Sequence, residues 1–440
     1  MSPILIGIIG ILILFVLLAA RMQIGFAMAL VGFVGFIILN DLESALGLIG
    51  SEPFDASKSY LLSVIPLFIL MGQFATFSNM GKEIYQTAYK WLGFLPGGLA
   101  MATVGACSLF AAISGSSLAT AATFGMVALP EMKKFKYSDA LATGCIAAGG
   151  TLGILIPPST VLIIYGILTE QSIVNLFIAG IIPGALLSFL FILTIYIMCK
   201  IKPSLGARGP KFTLKEKVTS LKDTWSILSL FMLVIGGMYA GWFTPTPAAA
   251  IGAFGTLIIM VIKKQATKEN IFNSLKATCK TTAMIFGIII GAMIFQYFMT
   301  ISELPDFLAT EVTQLQVSKH VVMSLIIALF IVLGCFMEGL SIMILAVPIV
   351  FPIVTGLGYD PIWFGIIITL VMEMSLITPP VGVNVFVLSS VAKDVPMETI
   401  FKGIVPFWAA MVVCIILLMI FPEIVTFLPG TMGYTGGSGF

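Results

Sequence analysis

The sequence predicts an all-α polytopic membrane protein of two inverted-topology repeats, each holding a re-entrant hairpin and a broken transmembrane helix. Three observations predict it. Of 440 residues, 59% are hydrophobic and only 10% charged, and the mean hydropathy is +1.13. Two double prolines, Pro157-Pro158 and Pro379-Pro380, interrupt apolar runs 222 residues apart. The 22 Lys and Arg are placed so that one topology gathers nearly all of them on one side.

Composition sets the class first. The apolar runs approach or exceed the roughly 20 residues a helix needs to cross a bilayer, and only short polar loops part them. No soluble domain of ordinary size fits between them. The six cysteines, Cys107, Cys145, Cys199, Cys279, Cys335 and Cys414, sit in or beside apolar runs without metal-ligand spacing, and His320 is the one histidine. That argues against a disulfide framework, a zinc site, a haem or an intramembrane enzyme with a nucleophile and base. No nucleic-acid partner and no organic cofactor are expected. The first run, Ile4 to Ala20, lacks a charged n-region and a small-residue cleavage site, so it reads as a retained helix.

In order, the chain offers spans at Ile4 to Ala20, Ile24 to Leu39 and Tyr60 to Asn79, with an acidic loop from Asp41 to Ser59. Gly81 to Leu95 is amphipathic and suits the interface. Gly97 to Lys133 is apolar but broken at Ile113-Ser114-Gly115-Ser116-Ser117, which leaves two arms too short to span and predicts a re-entrant hairpin with its tip at depth. Ser138 to about Leu168 is the broken span. Within it Gly149, Gly150, Gly153, Pro157 and Pro158 speak against a continuous helix. Ile173 to Cys199 closes the half, and a basic connector covers 200 to 224.

Adding 222 carries the first three spans onto Ser226 to Trp242, Thr246 to Val261 and Thr282 to Ile301, past a loop at 263 to 280. Pro130 falls on Pro352 and Tyr137 on Tyr359. The second hairpin is His320 to about Thr355, broken at Phe336-Met337-Glu338-Gly339-Leu340-Ser341, and the second broken span holds Glu373 to Asn384. Internal repetition with paired discontinuous segments is the mark of a secondary transporter. With the N-terminus outside and five crossings per half, every Lys and Arg except Lys58 and Lys319 lies in the cytoplasm. Five is odd, so the second half is inverted and both termini are periplasmic.

Broken helices leave backbone groups that hydrocarbon tolerates only around a ligand or inside protein. A small cation wants roughly five or six hard oxygens, which unwound carbonyls and hydroxyls supply. One candidate sodium shell joins Ser114 and Ser117 to Gly149, Gly150 and Gly153. Its counterpart joins Met337, Glu338 and Gly339 to Ile377 and Thr378, with Ser375 beside them. Free amides at helix starts attract carboxylates. Candidate substrate contacts are therefore Ser114, Gly115, Ser116, Ser117, Thr151, Gly339, Ser341 and Asn384, the last either a ligand or a cap. Glu338 and Glu373 lie at membrane depth and either bond neighbouring amides or titrate, in which case protons couple. The five tryptophans read mostly as interfacial anchors.

The chain resembles the large membrane subunit of the tripartite ATP-independent periplasmic (TRAP) transporters over nearly its whole length. The likeness rests on Ile65-Pro66-Leu67-Phe68-Ile69-Leu70-Met71-Gly72, Ala111-Ala112-Ile113-Ser114-Gly115-Ser116-Ser117, Ile156-Pro157-Pro158-Ser159, Leu176-Phe177-Ile178-Ala179-Gly180-Ile181-Ile182-Pro183-Gly184 and Thr378-Pro379-Pro380-Val381-Gly382. The resemblance implies an elevator-type, sodium-coupled importer of organic acid anions in the bacterial inner membrane, with sialic acid (N-acetylneuraminate) favoured. It also implies a periplasmic substrate-binding protein and a small four-helix membrane subunit, here expected as a separate chain. More distantly the chain is similar to divalent-anion/sodium symporters, but Ser-Gly-Ser-Ser and Met-Glu-Gly-Leu-Ser replace their Ser-Asn-Thr tips, which shifts expected ligation toward carbonyls. Rival readings are a stand-alone sodium/dicarboxylate symporter and a TRAP transporter for C4-dicarboxylates.

The expected division is residues 1-96, scaffold and interfacial arm of the first repeat; 97-200, first part of the transport domain; 201-319, connector, scaffold and arm of the second repeat; 320-422, second part of the transport domain; and 423-440, a flexible tail ending in Gly436-Gly437-Ser438-Gly439. Lipid surrounds the whole.

Overall fold

The computed structural model describes residues 2–314, 317–335, 337–380 and 382–434, and every regular element among them is a helix. The first two runs become α1 (Pro3–Ala19) and α2 (Ile24–Leu39). The expected acidic loop is instead α3 (Leu42–Lys58). Asp41 caps it, its Oδ1 accepting from Ser44 N at 2.8 Å. The signal for this helix lay in Ala45, Leu48, Glu52 and Ala56, one buried face at helical spacing. The four acids Asp41, Glu43, Glu52 and Asp55 mask it in the sequence.

α4 (Val64–Phe77) and α5 (Met80–Leu92) meet at a 67° bend, with Asn79 left-handed at φ 59°. α5 is the amphipathic element expected. It is tied down by Thr87 Oγ1, which donates to Ser220 O at 2.9 Å, by Trp91 Nε1, which donates to Lys217 O at 3.1 Å, and by a Glu83–Lys263 ion pair. α6 (Gly98–Ser114) and α7 (Ser117–Lys134) form the first hairpin. α8 (Asp139–Leu155) and α9 (Thr160–Leu168) are bent by 41° about residues 156–159, and α10 (Ile173–Ile201) follows.

The connector is shorter than expected because a capping box starts the next helix early. Thr213 Oγ1 accepts from Glu216 N at 3.3 Å and the Glu216 carboxylate accepts from Thr213 N at 2.7 Å. α11 (Leu214–Phe231) runs through a π-helical turn (Met232–Gly236) into α12 (Gly237–Tyr239), and α13 (Pro245–Ile262) follows. The expected 263 to 280 loop is mostly helix, because α14 (Lys268–Ile301) begins at Lys268, with Thr267 Oγ1 accepting from Asn270 N at its start. Then come α15 (Leu304–Gln314), α16 (Lys319–Gly334), α17 (Gly339–Gly356), α18 (Pro361–Ser375), α19 (Val383–Val391), α20 (Met397–Ile420) and α21 (Glu423–Thr431). Residues 423 to 431 are therefore helix rather than tail. Val425 and Pro429 are buried, and Tyr434 Oη donates to Asp360 Oδ2 at 2.8 Å.

Six of these helices are long and apolar enough to cross a membrane, α11 and α12 counting as one. α7 and α17 start 222 residues apart, at Ser117 and Gly339, and end 222 apart, at Lys134 and Gly356. The Pro157-Pro158 and Pro379-Pro380 peptide bonds are both cis.

Two seams join the halves. α2 lies against α14 so closely that a Cβ on Gly291 would stand 2.0 Å from Gly25 O, and one on Gly32 2.7 Å from Phe295 Cα. α8 meets α20 in the same way, a Cβ on Gly144 falling 2.3 Å from Gly403 O. Small residues let backbones approach and gain dispersion contact that lipid does not replace. Around the second seam sit fully buried Phe191 and Phe407, ring centroids 5.5 Å apart, and Trp363, whose Nε1 donates to Leu418 O at 2.9 Å. Trp363 is thus a core residue and not an interfacial anchor.

A polar link also crosses the halves, the exposed pair of Lys133 in the last turn of α7 and Asp394 before α20. The hydrogen bond from Lys133 holds the Asp394 carboxyl below its usual range. Its folded-state value is therefore depressed, so its contribution is present above the ordinary carboxylate value, ~3.9, and is lost as pH falls through that range. Thermal unfolding of Asp394→Asn against the parent should show a small deficit at neutral pH that closes on acidification.

Candidate functional site

Sequence places the hairpin tips and the structure brings them together. In the first tip, Gly115 is left-handed at φ 58° and Ser116 caps α7, its Oγ accepting from Ala119 N at 3.3 Å. Ser114 Oγ lies 3.0 Å from Thr120 Oγ1, which donates to Ser116 O at 2.8 Å. Ser117 Oγ has no partner although the residue is 1% exposed. A cavity of about 220 Å³ opens on this tip. It is lined by Ser114, Gly115, Ser116 and Ser117, by Glu338 and Gly339 of the second tip, by Ile154 and Thr160 flanking the first break, and by Leu376 before the second. Glu338 occupies the cap position of α17 without making a side-chain cap.

The glycines of α8 do not break it. Gly149, Gly150 and Gly153 are helical, and α8 breaks only after Leu155. Interior glycine costs only about 1 kcal/mol against alanine, too little to stop a packed helix. What these glycines give is approach. A Cβ on Gly153 would stand 2.6 Å from Ser116 O, and one on Gly150 2.9 Å from Ala121 Cβ. Free carbonyls arise one turn later. Pro157 and Pro158 have no N–H, so Gly153 O and Ile154 O lack the donor four residues on. Gly153 packs against the hairpin tip and Ile154 lines the cavity beside it.

The second break behaves differently. Thr378 N donates to Ser375 O at 3.0 Å and Asn384 N to Leu376 O at 3.1 Å, so its carbonyls are largely reclaimed. Thr378 Oγ1 donates to Met374 O at 2.7 Å and accepts from Trp408 Nε1 at 3.2 Å. Ile377 and Thr378 line a separate pocket with Phe401, Lys402 and Trp408, away from Glu338 and Gly339. Gly339 instead faces Met372. Met337, Ser341 and Thr151 are outside the cavity lining; Thr151 is fully buried and its Oγ1 donates to Ala148 O at 2.6 Å. Asn384 is fully buried, its Nδ2 donating to Ala147 O at 3.4 Å while its Oδ1 has no partner. Glu373 is likewise buried with an unpartnered Oε2. Phe336 of the second tip, Val381 of the second break and the Gly436–Gly439 stretch lie outside the described residues.

Sequence reasoning missed the rest of the wall. Ile69, Gly72 and Gln73 of α4 and Thr281, Met284 and Ile285 of α14 complete the cavity. A glutamine inside the apolar run of α4 was the available signal. Gly72 brings that wall onto the tip, where a Cβ would fall 2.6 Å from Ser114 O.

Broken helices around a cavity, with unpaired carbonyls and a buried free hydroxyl inside an apolar helical body, define a membrane transport protein. Residues 11–424 match the family described as "Tripartite ATP-independent periplasmic transporter, DctM component", and the chain belongs to that family, as a large permease subunit. It is 38% identical over 382 residues to the C4-dicarboxylate TRAP transporter large permease protein DctM of Pseudomonas aeruginosa, covering 86% of this chain and 88% of that one. It is 31% identical over 414 residues to the sialic acid TRAP transporter large permease protein SiaM of Vibrio cholerae, covering 94% and 96%. It shares the fold of the Alcanivorax borkumensis YdaH transporter, with a TM-score of 0.62 at 14% identity over 91% of this chain and 90% of that one.

Proposed function

We propose that this chain is the transport-catalysing subunit of a sodium-coupled importer of organic acid anions, working by an elevator mechanism in the inner membrane with both termini periplasmic. A periplasmic binding protein delivers the substrate and a small four-helix subunit enlarges the scaffold. The observation that carries the proposal is the shared cavity. Both hairpin tips line it, and beside the first tip stand the undonated carbonyls of Gly153 and Ile154.

In this reading the halves are inverted repeats, which the equal spacing of α7 and α17 supports. Residues 97-200 and 320-422 move together as the transport domain and the remaining helices form the frame. Sodium binds Gly153 O and the Ser114 and Ser117 hydroxyls, ordering the first tip, and Glu338 and Gly339 serve the second. The anion docks on the amides that start α7 and α17. Its charge then offsets the cation's, which lowers the cost of passing the low-dielectric centre. N-acetylneuraminate is our favoured substrate. The second reading, a C4-dicarboxylate, is favoured by the 38% identity to the Pseudomonas aeruginosa permease.

The test is uptake of labelled N-acetylneuraminate and succinate into proteoliposomes holding this chain and its small subunit, with and without binding protein, under a sodium or a proton gradient. Uptake needing sodium and the binding protein supports the proposal. Proton-driven uptake moves coupling to Glu338 and Glu373, and uptake without any binding protein makes the chain a stand-alone symporter.

A further inference from the structure

We infer that Gln73 and Thr281 read the uncharged part of the substrate, so that the cavity selects monocarboxylates whose tail carries hydroxyl or amide groups over dicarboxylates. The inference rests on the reading that this cavity holds the anion.

The cavity lining has two chemically different parts. In one, the 18-residue helix α7 begins with its free amides and with Ser117, whose buried hydroxyl has no partner in the protein and lines the space. One carboxylate satisfies both. The lining also takes in α4 and α14, where Ile69, Met284 and Ile285 are apolar and Gln73 and Thr281 are not. Among the described residues neither Gln73 nor Thr281 spends its side chain on a hydrogen bond. Their neighbours do. Thr76 Oγ1 donates to Gly72 O at 2.9 Å and Thr278 Oγ1 to Ser274 O at 2.8 Å, the ordinary way a threonine is satisfied in an apolar helix. An amide and a hydroxyl left open toward a cavity offer donors and acceptors but no charge. They match hydroxyl or acylamino groups.

Charge excludes the alternative. Among the described lining residues no Lys, Arg or His is present, and Glu338 is the one carboxyl. Lys280 lines a groove of about 830 Å³ between α2 and α14 rather than the cavity, although Thr281 and Met284 border both. A second carboxylate would exchange water for a wall without a cationic side chain, a mismatch that separates substrates more sharply than missing contacts do.

The test measures affinity of the purified complex of this chain and its small subunit, in sodium and without binding protein, from the thermal shift produced by D-gluconate, succinate and propionate. Gluconate is expected to bind more tightly than succinate. Gln73→Leu and Thr281→Val should each weaken gluconate roughly tenfold, the worth of one hydrogen bond, and leave propionate unchanged. Succinate binding as tightly as gluconate, or both variants leaving gluconate unaltered, overturns the inference while keeping the cavity as the anion site. Binding of all three probes that survives Ser117→Val, or no binding by any of them, overturns the reading of the cavity itself.

Discussion

Gly403→Val is expected to abolish folding. A Cβ there would sit 1.9 Å from the Ala140 carbonyl oxygen and 2.7 Å from its carbonyl carbon, so α8 and α20 must separate to admit it. Both partners are helix backbone, Ala140 in the first turn of α8 and Gly403 within α20, and neither can turn aside as a side chain would. Prying the helices apart opens a void beside buried Phe191 and Phe407, and the combined cost is on the order of 4–5 kcal/mol, the size of a whole domain's margin. Size-exclusion profiles and thermal unfolding in detergent check this. Gly50→Ala, on α3 with nothing within 4 Å of the new carbon, is the control and should stay within about 0.5 kcal/mol of the parent. A well-folded Gly403→Val protein would sink the account of this seam.

Gly153→Val is expected to leave a folded protein that does not transport. The added carbon meets Ser116 O at 2.6 Å and Ser117 N at 2.9 Å, the two atoms that fix the start of α7. The tip is a turn and can move, so the fold survives where the α8–α20 seam would not. Movement carries Ser117 Oγ and the α7 amides away from the Gly153 carbonyl, and shifts near 1 Å at a positioned site cost about a hundredfold in rate. Sodium-driven uptake should drop by at least that factor while the elution profile is unchanged. Gly153→Ala, which makes the same close contact with less bulk, should fall between. Uptake at the parental rate in the valine variant would remove the first tip from the mechanism.

Legibility of the sequence was uneven, for reasons that lie in particular residues. Breaks were readable because proline has no N–H and Ser-Gly-Ser-Ser cannot continue an apolar helix; α7 and α17 begin within a residue or two of where those signals fall. Helices α3 and the first turns of α14 were missed because charge masked a four-residue buried stripe and a threonine cap. The glycines of α8 were read as breaks because glycine has two uses, bending and close approach, and only the neighbour across the gap decides between them. Gln73 and Thr281 were invisible as site residues for a related reason. Each is one polar residue on an unremarkable helix, and its meaning comes from a cavity that six separate segments enclose. Asn384 shows the converse, a polar residue placed next to a break by sequence but turned into the protein, toward Ala147 O.

The glycine seams bear on how the chain is made. Gly25 packs on Gly291 and Gly144 on Gly403, so each surface of the early chain is completed by a helix synthesised much later. The N-terminal half therefore enters the bilayer with two grooved faces uncovered, and its own helices cannot fill them. Until α14 and then α20 leave the ribosome, lipid or the insertion machinery must cover those faces. The nascent first half is a waiting intermediate rather than a finished domain, and quality control has that interval in which to act on it.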